Sequence, residues 1–166
     1  GKYPCLPELE DLTMKMAETI KRFSSAPMLD VQRFWEVVLF SWISGNSDMH
    51  CKNFSLLDRG DGEYALAPAY DLLPVLLADP ADPEEMALSF EVGGGKAGFD
   101  RNTFLAAFTQ SGIPVAVAEK MIDRMALCLP AWRALIDRSF LPDKMKKAYG
   151  KLLEDRLRKA CAGVQF

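Results

Sequence analysis

Phe34-Trp35-Glu36-Val37-Val38-Leu39-Phe40-Ser41-Trp42-Ile43 runs straight into Ser44-Gly45-Asn46-Ser47-Asp48-Met49-His50-Cys51-Lys52-Asn53-Phe54-Ser55. The first ten residues carry a single charge, Glu36, so the element they form is buried on nearly every side. The next twelve gather an acid, two carboxamides, a lysine and the chain's only histidine into one connection. A polar burst at the end of a core helix marks a candidate site, and the fold is read outward from it.

Upstream, Leu9, Leu12, Met16, Ile20 and Phe23 recur at helical spacing behind the acidic Glu8, Glu10 and Asp11, which predicts a first helix ending near Phe23. Ser24-Ser25-Ala26-Pro27 breaks it, and Asp30 is the expected N-cap of the buried second helix, which should stop near Ile43 ahead of Gly45. Downstream, 54–57 and 63–67 flank Asp58-Arg59-Gly60-Asp61-Gly62 and predict a β-hairpin. Residues 78–86 are too acidic and proline-rich for an element interior, and a short strand is expected from Met86 to Val92. Beyond Asp100 the pattern is helical throughout. Asp100 caps a helix bearing Phe104, Ala107 and Phe108, and Pro114 opens a long helix striped with Ala118, Met121, Ile122, Met125, Leu129, Trp132, Leu135 and Ile136. Pro130 should kink or split that helix, and a last one carries Met145, Tyr149, Leu152, Leu153 and Leu157. The fold class expected is therefore mainly α with a small β-hairpin.

The chain has 166 residues, 49% of them hydrophobic, enough for one domain over residues 1–166 with a core that needs no staples. A formal net charge of −3 gives the molecule as a whole no electrostatic reason to seek nucleic acid or anionic membrane. The basic run of Lys144, Lys146, Lys147, Lys151, Arg156, Arg158 and Lys159 alternates with acids and is read as a solvated helix face. Cys5, Cys51, Cys128 and Cys161 form no CxxC pair, so they are expected to be free thiols in a reducing cytoplasm. No apolar run approaches the roughly 18 residues of a spanning helix. The first residue is Gly1, not methionine, which suggests a fragment of something longer.

Phosphoryl transfer needs a carboxylate beside the acceptor hydroxyl and oxygen ligands that hold Mg2+ against the phosphates. Asp48 and Asn53 have the spacing of a kinase-type base and its metal-binding asparagine, and Asp71 follows the hairpin where a second acid is wanted. Gly45 and Asn46 are expected to shape the backbone where the helix stops, since both tolerate left-handed conformations. Gly93-Gly94-Gly95-Lys96 lacks the phosphate-loop pattern and reads as a turn.

GNSDMHCKNFSLL followed by PAYDLLP resembles the HipA-type serine/threonine kinases, the toxins of HipA–HipB toxin–antitoxin modules, whose signature is approximately GNxDxHxKNFS and then YDLLP. MALSFEVGGGK and DRNTFLAAFTQSGI extend the likeness. The resemblance implies the C-terminal lobe of a protein-kinase-like fold, dependent on ATP and Mg2+. Asp48 would be the catalytic base, Asn53 and Asp71 the Mg2+ ligands, and His50 or Lys52 would lie near the γ-phosphate or order the loop. It implies a protein substrate, an aminoacyl-tRNA synthetase, and a HipB-like DNA-binding antitoxin as partner. The N-terminal lobe that covers the nucleotide is missing from these residues, so this chain alone should transfer phosphate poorly. Two other readings stand beside it. One is a docking or corepressor module without turnover; the other is a small-molecule or lipid kinase, since related folds use similar loops.

Overall fold

A computed structural model of the protein describes residues 12–80, 85–89 and 95–161. Its elements are α1 (Leu12–Phe23), α2 (Pro27–Ser44), a short 3-10 turn at Cys51–Asn53, β1 (Leu56–Asp58), β2 (Tyr64–Leu66), α3 (Val75–Ala78), α4 (Arg101–Gln110), α5 (Val115–Arg138) and α6 (Asp143–Ala160). The expected class, mainly helical with one hairpin, is what forms.

Helix α2 is the axle. Phe34, Trp35, Val38, Leu39, Trp42 and Ile43 are fully buried, and α1, α4, α5, α6 and β2 all pack against the helix. Three tryptophans and ten phenylalanines in the sequence supply much of the filling. Phe34 meets Trp35 and Phe54 edge-on with ring centres 5.2 and 4.8 Å apart, and Trp42 lies 5.1 Å from Phe104. Each buried indole finds an acceptor: Trp35 donates to Ser111 Oγ at 2.8 Å and Trp42 to Glu85 Oε2 at 2.7 Å. Such aromatic side chains bury large areas only when the N–H is satisfied.

Asp30 does not cap α2. Pro27 stands in the first turn, where its fixed φ suits the helix and its missing N–H costs nothing, so the helix starts four residues early, with Ala26 at the cap position. Asp30, fully buried, instead accepts from Ser24 Oγ at 2.7 Å, from Leu66 N at 2.8 Å and from Arg33 at 3.2 Å. One carboxylate therefore ties the α1–α2 turn to the hairpin. Ser25 adds to this seam by donating its backbone N–H to Tyr64 O and accepting from Tyr64 N at its hydroxyl. The hairpin is antiparallel, with Leu56 opposite Leu66 and Asp58 opposite Tyr64, and its turn takes positive φ at Gly60, Asp61 and Gly62.

In α1 the face that is buried is Met14, Ala17 and Ile20, while Phe23 is half exposed. Helix α4 begins as expected: Asp100 accepts from Thr103 N at 2.9 Å. Helix α5 is not split; it continues through Pro130, which is exposed, and of its stripe Ala118, Met121, Ile122, Leu129 and Ile136 are buried, Met125 and Trp132 are partly buried, and Leu135 is exposed. No strand forms over 86–89, where Met86 and Leu88 plug the core as an irregular segment; 90–92, the acidic residues 8–11, Gly93 and Gly94 lie outside the described residues. The basic face of α6 is largely solvated, with one correction: Arg156 is buried and paired with Glu85. Cys51, Cys128 and Cys161 are free thiols, and no helix among the described residues is long and apolar enough to cross a membrane.

Candidate functional site

The polar loop starts from a well-defined helix end. Gly45 adopts φ +78°, its N–H reaches Trp42 O at 3.2 Å, and Asn46 N reaches Ser41 O at 2.8 Å. These two bonds are a Schellman motif, which closes a helix through a left-handed glycine. Gly45 behaves as its sequence context predicts. Asn46 does not: its φ is negative, and it is the side chain, 2% exposed, that has work to do.

Beyond the cap, Met49 is buried and pins the loop to the core, which leaves Asp48 exposed. The Asp48 carboxylate has no hydrogen bond or ion pair among the described residues. His50 and Asn53 close the 3-10 turn reciprocally: His50 N donates to Asn53 Oδ1 at 2.8 Å and Asn53 N donates to His50 O at 3.0 Å. His50 is partly buried, and its Nδ1 has no hydrogen-bond partner among the described residues. Lys52 is exposed, and its carbonyl accepts from the Tyr70 hydroxyl at 2.9 Å. The tyrosine thus fastens the loop to the segment that carries the next acid.

Asp71 arrives just after the hairpin, as its place in the sequence predicts, and in direct contact with Asn53. Asn53 Nδ2 donates to Asp71 Oδ2 at 2.9 Å, and Asn46 Nδ2 donates to the Asp71 backbone carbonyl at 3.3 Å. Asp71 itself sits at φ +57°, a left-handed conformation that aspartate tolerates better than most residues. The structure therefore joins two of the predicted residues, Asn53 and Asp71, and carries Asp48 exposed on the same loop. His50 and Lys52 belong to that loop through their backbones. The side-chain bonds of Asn46 to Asp71 O and of Tyr70 to Lys52 O go beyond the sequence reading, which gave Asn46 only a part in the helix stop.

The donor set suits a hard cation. Asp71 offers a carboxylate with Oδ1 uncommitted, and Asn53 Oδ1 accepts one hydrogen bond and keeps a second lone pair. Among the described residues no three His, Cys, Asp or Glu side chains cluster as a metal cage. Mg2+ is commonly held by one or two such oxygen ligands, with phosphates and water completing its shell. Two concavities, about 540 and 250 Å³, do not include Asp48, Asn53 or Asp71 in their linings, although Ala69 and Leu72, on either side of Asp71, line the first.

Residues 5–132 match the family described as HipA-like C-terminal domain. The chain is 28% identical over 108 residues to "Putative kinase Y4mE" of Sinorhizobium fredii, covering 65% of this chain and 25% of that protein. It is 47% identical over 47 residues to "Putative kinase Y4dM" of the same organism, covering 28% of this chain and 12% of that protein. A chain of the Shewanella oneidensis MR-1 toxin–antitoxin complex of HipA, HipB and operator DNA superposes with a TM-score of 0.72 over 88% of this chain and 35% of its own length, at 18% identity. That likeness is one of fold. The matched stretches span 12% to 35% of these longer proteins.

Proposed function

The chain belongs to the family of HipA-like C-terminal domains, and from that membership we propose that it is the catalytic lobe of an ATP- and Mg2+-dependent serine/threonine protein kinase of toxin–antitoxin type. The observation that carries the reading is the 2.9 Å contact between Asn53 and Asp71, with Asp48 exposed and unpaired on the same loop. Asp48 accepts the proton of the acceptor hydroxyl as the oxygen attacks, and its freedom from internal partners leaves its lone pairs available. Asn53 and Asp71 would hold Mg2+ by side-chain oxygen. When bound, the ion neutralises charge on the transferring phosphoryl group. His50 and Lys52 order the loop.

The acceptor is a protein hydroxyl, by family an aminoacyl-tRNA synthetase, and the neutralising partner is a HipB-like DNA-binding antitoxin, so nucleic acid is met only indirectly. The protein works in the cytoplasm. The nucleotide is covered by an N-terminal lobe outside these 166 residues. The chain spans only part of its relatives, which supports that division.

The test uses the full-length protein, radiolabelled ATP and Mg2+. Asp48→Ala should lower phosphotransfer by about 10²- to 10⁴-fold, the range of a lost general base, because nothing else on the loop replaces it. Its stability should change by no more than about 0.5 kcal/mol, as for an exposed residue. If the full-length wild type binds no Mg2+–nucleotide and transfers no phosphate, the protein is a docking module.

A further inference from the structure

We infer that Asn46 is a positioning residue for Asp71: its buried amide fixes the left-handed backbone of that aspartate and so aims the carboxylate at the cation. The inference rests on Asp71 being a Mg2+ ligand, as proposed above, and adds to it a residue that touches neither metal nor substrate.

A left-handed conformation is disfavoured for an L-residue, less so for aspartate than for most, and at Asp71 the surroundings hold φ at +57°. Two carboxamides do so from opposite ends of the residue. Asn53 holds the carboxylate, and Asn46 holds the main-chain carbonyl, which sets the peptide plane after Asp71. A third tie follows five residues on, where Leu76 N donates to Gly45 O at 3.0 Å. The segment bearing Asp71 is therefore bracketed against the end of α2, and Asn46 supplies the bond nearest the acid.

Helix capping does not explain the amide. The Schellman motif at Gly45 uses only the backbone N–H of Asn46, whose φ is not positive, and the position after the left-handed glycine commonly holds an apolar residue. A carboxamide buried there needs a partner, because an unpaired buried amide costs free energy. Asp71 O is the partner it has. Rigid mounting of this kind matters for metal ligands, whose affinity depends on the groups that orient them.

The experiment uses the full-length protein with Mn2+ as the probe, free Mn2+ being read by electron paramagnetic resonance in the presence of a non-hydrolysable ATP analogue. Asn46→Ala and the isosteric Asn46→Asp should each weaken Mn2+ binding by about 10-fold, the low end of the range for losing an orienting partner. Affinity for the nucleotide measured without divalent cation should stay at the wild-type value. Ile43→Val, a cavity in the buried last turn of the same helix, serves as the stability control and should keep wild-type Mn2+ affinity. Wild-type Mn2+ affinity in a folded Asn46 variant overturns the inference, as does an equal loss in Ile43→Val. So does failure of both Asn46 variants to fold, which would make the amide a brace for the fold. If the wild type itself binds no Mn2+–nucleotide, the kinase reading fails first, and that outcome is distinct from the others.

Discussion

Asp30 shows how much a single buried acid can hold together. Burial alone would push its carboxyl up, but hydrogen bonds from Ser24, Leu66 N and Arg33, with the charge of Arg33, outweigh that and hold it below the usual carboxylate range. A folded-state pKa below the unfolded value of about 3.9 contributes stability that is complete above that value and lost as pH falls toward the folded one. Asp100 has the same sign, chiefly through the backbone N–H of Thr103. Urea midpoints measured between pH 6 and pH 2.5 should therefore fall steeply below about pH 4 in the wild type and less steeply in Asp30→Asn. Parallel curves for the two would show that Asp30 is not the group responsible. At neutral pH, Asp30→Ala should cost about 3 kcal/mol, because Ser24 Oγ and Leu66 N lose a charged acceptor in a buried place. The sequence offered Asp30 as a cap because an acid before an apolar run usually is one. What it could not display was the hairpin strand returning 36 residues later to claim the same oxygen. The site was more legible. Asn53 and Asp71 follow from spacing and residue type, since a loop and a hairpin of fixed length must bring them together. Asn46 reads from the sequence only as part of the helix stop, because its bond to Asp71 O depends on a backbone conformation that no local pattern announces.

At the scale of elements, the helix end at Gly45 is a junction as well as a stop. A Cβ there would lie 2.6 Å from Leu152 Cδ2 on α6 and 3.3 Å from the Leu76 side chain on α3, so two elements approach because the residue has no side chain. Gly60 has similar backbone strain, φ +92°, but open space around it. The pair separates strain from packing. Gly60→Ala should cost about 1 kcal/mol for the left-handed backbone, and Gly45→Ala about 3 kcal/mol once overpacking is added. Equal losses in urea denaturation would mean that Leu152 moves aside freely and that the junction is loose. The same contrast explains which elements the sequence announces. Helices α2, α4 and α5 are readable from apolar period, proline and cap residues, and the hairpin from its glycine-rich turn. The irregular plug at 86–89 is not, because Met86 and Leu88 alternate like a strand and are buried, yet 86–89 forms none. Pro130 misleads for the opposite reason: a proline in a long, well-packed helix can be tolerated when its exposed side absorbs the missing bond.

Across the whole molecule, a polar link that joins α2, the 85–89 segment and α6 runs through Glu85. Its Oε2 accepts from Trp42 Nε1 at 2.7 Å and from Arg156 at 2.9 Å, while Lys159 lies 3.7 Å from Oε1. The Arg156 guanidinium also stacks over the Trp42 ring, 4.8 Å from its centre. Burial draws Arg156 below the usual arginine range and Glu85 partly restores it, as befits a cation with only 8% of its side chain exposed. This network fastens the 85–89 segment to α2 and α6, and two residues along, Ala87 N donates to Ser47 O at 2.8 Å, next to Asp48. The core's polar link is thereby connected to the candidate site by a short rigid path. Glu85→Ala should cost about 3–5 kcal/mol, because it strands a buried cation and an indole N–H. Replacing the cation as well, in Glu85→Ala with Arg156→Met, should recover part of that loss, giving a favourable coupling in a double-mutant cycle. Hydrogen exchange at the Ala87 amide should quicken in the single variant and slow again in the double one. Strictly additive stabilities, with Ala87 exchange unchanged throughout, would mean that the segment is held by Met86 and Leu88 packing alone and that the loop beneath Asp48 does not feel the ion pair.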